Sequence, residues 1–286
     1  MKPFGAAVIL FGAMLSATPG LRAAEPFSIN QSAAPAPAAA KPIDYKSMPS
    51  IVGVHLGMPT DEATATLRAT YKNAVGSAQG ADTYRGYPKP VMMMYGVNLN
   101  TLATVPEHIY VYVTPPPQPI SVWRIKRYVS DPNHQIARAQ LLASLRQKYG
   151  KETVALLGAS IVQSDAEATT LWWLYDEQGR PAALPGGGVN EVRQCLNEGE
   201  NPAGMGSAVV RPSSERAPEH NYCTTSLVIV TALVGQYDPV TTYTVDAYDL
   251  PLASRASDAA LAMMHDEDRR QQQKVIEKAR GNKPTL

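Results

Sequence analysis

Few residues in this chain have the types and spacing that chemistry needs. The five histidines, His55, His108, His134, His220 and His265, share no metal-ligand spacing with another His, a Cys or a paired acid. No metal site is expected. Pro185-Gly186-Gly187-Gly188-Val189 has the backbone freedom to cradle a phosphate, but lacks the Gly-Lys-Ser/Thr ending of a P-loop and the spacing of a dinucleotide fingerprint. It reads as a flexible turn, and no cofactor is expected. Gly158-Ala159-Ser160-Ile161 lacks the second glycine of a nucleophile elbow and reads as strand. Glu219-His220 just before Cys223 invites a Cys–His pair. However, Cys195 lies 28 positions earlier across a loop-rich stretch, and two such cysteines in an oxidising compartment suit a structural disulfide. No catalytic residue is assigned.

The pattern that does suggest a site is aromatic and basic. Residues 109–113 and 122–129 alternate as two strands, and Pro115-Pro116-Pro117-Gln118-Pro119 between them must be loop, so a hairpin follows. With the midpoint at Pro117, Tyr110 faces Arg124, His108 faces Lys126 and Tyr112 faces Val122, with Tyr128 farther along. These residues share one side. Ile109 against Ile125 and Val111 against Trp123 form the core side. The binding candidates are therefore His108, Tyr110, Tyr112, Arg124, Lys126 and Tyr128. A surface of that kind suits an anionic or glycan ligand, or an acidic patch on an envelope protein. A solvated strand face is the plainer alternative.

The elements around that hairpin define the architecture. After a short strand and turn at 51–58, Ala63, Leu67 and Tyr71 set a helix over 60–71, with Asp61 and Glu62 at its positive end. Residues 91–95 are a further candidate strand. A second helix is expected from Asp131 as cap, through Pro132, to Gly150, with Ile136, Ala137, Leu141, Leu145 and Tyr149 as its stripe. Strands follow at 153–163, 169–176, 222–234 and 241–248. The stretch 185–221 reads as a long loop. Trp172 and Trp173 are adjacent in a strand, so each sheet face receives an indole; either both faces are covered or one Trp is exposed. A last helix runs over 254–279, and its middle, 265–274, has no apolar residue and should project in part. Helices alternate with blocks of hairpin-joined strands, which predicts α+β with antiparallel sheet, loop-rich, with one disulfide and a C-terminal helix.

The ends and the composition give the setting. Met1-Lys2, the apolar run Phe4–Leu15 and the small residues around Ala23-Ala24 describe a secretory signal over residues 1–24. An Ala/Pro-rich linker follows over 25–48. The expected body spans 49–250, in two sub-blocks 49–130 and 131–250, with a helix and tail over 251–286. Removal of Lys2 and Arg22 leaves 24 basic against 25 acidic residues. That balance gives no pull toward nucleic acid or anionic lipid. The mature chain has no segment apolar enough to span a membrane. The periplasm or the extracellular space is the expected location.

Leu56-Gly57-Met58 ahead of an acid-started helix resembles the Gly-Met-Ser segment of SmpA/OmlA-type envelope modules and of the repeats of β-lactamase-inhibitory proteins. Pro59 stands where their capping Ser stands, with Glu62 three residues on, so the capping box is lost and Thr60 is left to cap. The lipid-carrying cysteine of the outer-membrane members is absent. A wider likeness, to uncharacterised proteobacterial exported proteins, rests on Leu56-Gly57-Met58, Ile125-Lys126-Arg127, Leu145–Gly150, Trp173–Asp176, both cysteines and Lys278-Ala279. The first resemblance implies a binding or scaffolding module without catalysis; the wider likeness implies no established function. The rival reading is an exported hydrolase with a dispersed active site, which leaves no local motif.

Overall fold

The computed structural model describes residues 44–71, 74–79, 96–101, 107–115, 117–131, 133, 135–157, 160–162, 168–199, 226–235 and 237–281. The expected signal, residues 25–43 of the linker and strand 91–95 lie outside them, as do His134, His220 and Cys223; the end of the expected linker is instead part of the body, since Tyr45–Ser47 form a turn and Met48 is buried in the core. In order, the elements are β1 (Ser50–Ile51), β2 (Val54–His55), α1 (Thr60–Thr70), β3 (Ala74–Gln79), β4 (Gly96–Thr101), β5 (Glu107–Val113) and β6 (Val122–Ser130). Then come α2 (Arg138–Tyr149), β7 (Val154–Leu157), β8 (Ser160–Ile161), β9 (Thr170–Tyr175), α3 (Gly188–Gly199), β10 (Val228–Val234), β11 (Thr242–Asp249) and α4 (Leu250–Arg280). The fold is α+β, and every strand pair is antiparallel.

One sheet carries nine strands in the order β3-β4-β5-β6-β11-β10-β9-β7-β8. Each sub-block contributes a helix and then antiparallel strands, in the second with β7 between β8 and β9, and the last strands of the two blocks, β6 and β11, pair near the centre. The two halves repeat a tie as well as an order. Pro59, just before α1, bridges Ser121 in the β5–β6 connection, and Ile136, just before α2, bridges Val240 in the β10–β11 connection. Leu56-Gly57-Met58 belongs to the first tie: Gly57 N donates to Val122 O and Val122 N donates to Met58 O. Gly57 has φ +81°, and a Cβ there would come within 3.2 Å of Tyr45 Cβ, so only glycine fits without displacement. The motif is thus the point where the first helix is fastened to its sheet.

Both faces of the sheet are covered. On one, Ile109, Val111, Ile125, Trp173, Val230 and Ala247 pack with Leu67 of α1 and Leu141 and Leu145 of α2. On the other, Tyr112, Trp123, Trp172, Leu174, Ile229 and Tyr248 pack with Val192 and Cys195 of α3 and Leu250 and Ala253 of α4. Trp172 and Trp173 point to opposite faces as alternation requires, and both are buried.

Three local expectations are corrected. The stretch 185–221 is not all loop: it contains α3, whose Val192 and Cys195 are fully buried. The second helix starts at Arg138 rather than at Asp131, which instead accepts from Asn133 N in a tight turn. Thr60 does not cap α1; its hydroxyl donates to Ile120 O across the first tie, and Pro59 holds the N-cap position without a side-chain bond.

Candidate functional site

The proposed hairpin exists, two residues out of register. Tyr110 pairs with Lys126, His108 with Tyr128 and Tyr112 with Arg124, in place of Arg124, Lys126 and Val122. A shift of two preserves the sides of a strand, so Arg124, Ile125, Lys126 and Tyr128 stay on the faces where alternation put them. Val122 and Trp123 do not: Val122, expected beside Tyr112, packs in the first cluster with Val113, and Trp123 leaves that side. The register slips between Tyr112 and Val113, where Val113 pairs with Val122 and Tyr112 with Arg124. Trp123 is the extra residue of that bulge, and it joins Tyr112 in the second cluster instead of Val111 in the first.

The six candidate residues divide by depth. Tyr112 and Arg124 are buried, whereas His108, Tyr110, Lys126 and Tyr128 are half-buried. Depth follows position along the strands, because α3 and the start of α4 cover the Tyr112–Arg124 end.

At the buried end lies an acid that local reading missed. Arg124 donates from Nε to Asp246 Oδ1 at 3.0 Å and from Nη2 to Oδ2 at 2.6 Å. The Tyr248 hydroxyl donates to the same Oδ2 at 2.8 Å. The guanidinium lies 4.5 Å from the Tyr248 ring centre and 5.1 Å from that of Tyr112. Burial alone would push the Arg124 pKa down, but Asp246 and the two tyrosines override it and hold the pKa above its ordinary value. Arg124 is therefore a positioned strut beneath the surface. Its partner is 122 positions away in sequence, on a strand whose pairing with β6 no local pattern announces.

At the open end, His108 stacks near Tyr110 with ring centres 6.4 Å apart, and lies 6.0 Å from the Tyr128 ring. Lys126 pairs in register with Tyr110 on one side and Asp246 on the other, but Asp246 is bonded to Arg124 and Tyr248. Lys126 makes no ion pair among the described residues. Three rings around one cation form a surface able to stack on a flat ligand and to meet a negative charge.

Compared with protein-family models, curated proteins and solved structures, the chain matches none.

The other sequence candidates are accounted for locally. Gly187 N donates to Glu191 Oε2 at 2.8 Å, so a carboxylate of α3 already occupies the amide of the glycine run. His55 Nδ1 lies 2.9 Å from Met48 O, and among the described residues neither His55 nor His108 bonds a carboxylate or hydroxyl in the manner a dispersed triad needs. Among the described residues no three His, Cys, Asp or Glu side chains group to hold a metal ion. No described helix is long and apolar enough to cross a membrane.

Proposed function

We propose that the chain is an exported binding module of the cell envelope, working in the periplasm or outside the cell, and that it takes its partner on the outer sheet patch of His108, Tyr110, Lys126 and Tyr128. The observation that carries this reading is Lys126: a cation without an ion pair among the described residues, set beside three rings on a half-buried face of the sheet. The buried Arg124–Asp246 pair beneath supports it by fixing the strands that present the patch. An acidic protein surface or an anionic glycan is the matching chemistry. The resemblance to SmpA/OmlA-type and β-lactamase-inhibitory modules agrees with binding without catalysis. Cys195, buried in α3 and not a free thiol, suits a bond to Cys223 in an oxidising compartment.

The test is capture of envelope components by the mature protein and by a Tyr110→Ala, Lys126→Ser double variant. The variant is expected to melt like the parent and to lose the captured partner. Equal capture by both folded proteins discards the patch. Mass spectrometry of the same preparation is expected to show a start near Ala24 or Glu25 and a linked Cys195–Cys223 peptide; an intact Met1 or two free thiols removes the export reading.

A further inference from the structure

A second polar cluster lies on the opposite face of the sheet, where α1 ends and the last turn of α2 passes. Glu107 of β5 receives two hydrogen bonds on Oε1, from the Tyr71 hydroxyl at 2.7 Å and from Arg127 Nε at 2.6 Å. The Arg127 guanidinium lies 5.8 Å from the ring centre of Tyr243 on β11. Lys148 and Tyr149 come from the last turn of α2, with Lys148 Nζ 5.3 Å from the Tyr149 ring centre. Burial first and then the charge of Arg127 hold the Lys148 pKa below its ordinary value. Two cations therefore share one neighbourhood, and Glu107 is bonded to the first of them.

The donors of this cluster are incompletely used. Arg127 is held through Nε, and its two Nη groups make no hydrogen bond among the described residues. The Lys148 ammonium and the Tyr243 hydroxyl likewise have no hydrogen-bond partner among the described residues. The Arg127 side chain is 31% exposed, so the notch is open to solvent. Holding like charges together in a partly desolvated place costs free energy unless an anion offsets them. Arg127 is also already oriented: the bond from Nε to Glu107 fixes the plane of the guanidinium and leaves its outer fork free, the arrangement that grips two oxygens of one oxyanion.

We propose that this notch between α1 and α2 is an anion-binding site, which takes the carboxylate or phosphate group of a small ligand between the Arg127 fork, the Lys148 ammonium and the Tyr243 hydroxyl. It is separate from the outer patch, which lies on the other side of the sheet. Glu107 and Tyr71 are positioning residues for Arg127, and the tyrosine rings wall the notch. Nothing in sequence joins these residues: they come from three strands, from α2 and from Tyr71 just past the end of α1.

The test is a titration of the full folded chain, followed by NMR, with inorganic phosphate in one arm and acetate in the other. Saturable shifts at Lys148 and Tyr243 are expected at millimolar concentration. Lys148→Met and Tyr243→Phe, which leave the Arg127–Glu107 pair intact, are each expected to weaken binding about tenfold at unchanged melting temperature. Lys126→Gln, on the other face, is expected to leave it unchanged. A response to phosphate alone supports the site with a phosphorylated ligand, to acetate alone with a carboxylate ligand, and to both with an oxyanion of either kind. The inference is overturned if neither anion produces saturable shifts, if both notch variants bind like the parent, or if Lys126→Gln abolishes the effect.

Discussion

Asp249 joins the last strand to the last helix, and it does so as a buried acid. Its carboxylate caps α4 by accepting from Leu252 N at 2.9 Å. Burial raises its pKa to about 6; the bond from Leu252 and the charge of Arg255 oppose the rise, and Glu177 adds to it. An unfolded Asp ionises near about 3.9. Between those values the folded chain holds a proton that the unfolded chain has released, so the stability this group supplies at low pH is lost as pH rises through about 6. The loss is on the order of 2–3 kcal/mol. Asp249→Asn keeps a capping oxygen without the charge. It is expected to gain on the parent in melting temperature as pH is raised from about 4 to about 7; a parent–variant difference that does not change with pH refutes the assignment. Asp246 makes the contrasting case, because its charge is matched. Asp246→Ala strands a buried guanidinium and is expected to cost about 3–5 kcal/mol, whereas Arg124→Met with Asp246→Leu is expected to cost far less. Chemical denaturation of both variants separates pairing from packing. These roles are illegible in sequence, since an Asp in a strand looks the same whether its partner is solvent or an arginine 122 positions earlier.

What could be read in advance was what repeats locally. The period of Ala63 and Leu67 located α1, and alternation located β5 and β6 with their two sides. The register failed because the bulge at Trp123 depends on how the loop closes, which alternation does not encode. The start of α2 failed because Asp131 and Pro132 also suit a turn, and a turn is what the tie of Ile136 to Val240 requires. α3 was hidden by Gly, Asn and Pro around it, although Val189, Val192 and Leu196 already lie at helical spacing. The aromatic and basic face was visible, but its division into a buried and an open end needed the covering helices. α4 starts at Leu250, four residues before its expected start, but projects beyond the core as expected. It spans 31 residues, about 46 Å at helical rise. Its buried side chains end at Met264, and Val275 and Ile276 stand exposed. Deletion of residues 274–286 is therefore expected to change stability by less than about 0.5 kcal/mol, whereas Ala260→Leu, at a fully buried small side chain, is expected to cost about 1–3 kcal/mol. Thermal melts of the two variants decide whether the packed part of the helix ends where burial does.

The molecule is organised around the pairing of β6 with β11. Seven residues of each strand are in register there, from Thr242 against Ser130 to Tyr248 against Arg124. Each half supplies its own helix and antiparallel strands, but neither supplies a neighbour for its last strand. Both cores also cross the seam, since Ile125 and Ala247 share one cluster and Trp123 and Tyr248 the other. Residues 42–130 or 131–286 expressed alone are accordingly expected to be insoluble or unfolded, while the two fragments mixed during refolding recover a folded complex. Circular dichroism and gel filtration of each fragment and of the mixture check this; a stable, monomeric half on its own contradicts it.

The same seam sets a condition on how the chain is delivered. A polypeptide emerges from its N-terminus, so β6 is complete while more than a hundred residues, β11 among them, are still to come. Throughout that interval the first half carries an open strand edge with apolar side chains on both sides, and any other extended chain can pair with it. Chain yield should therefore depend on the rate at which the second half arrives and on whatever guards the edge meanwhile, more than on the stability of the finished sheet.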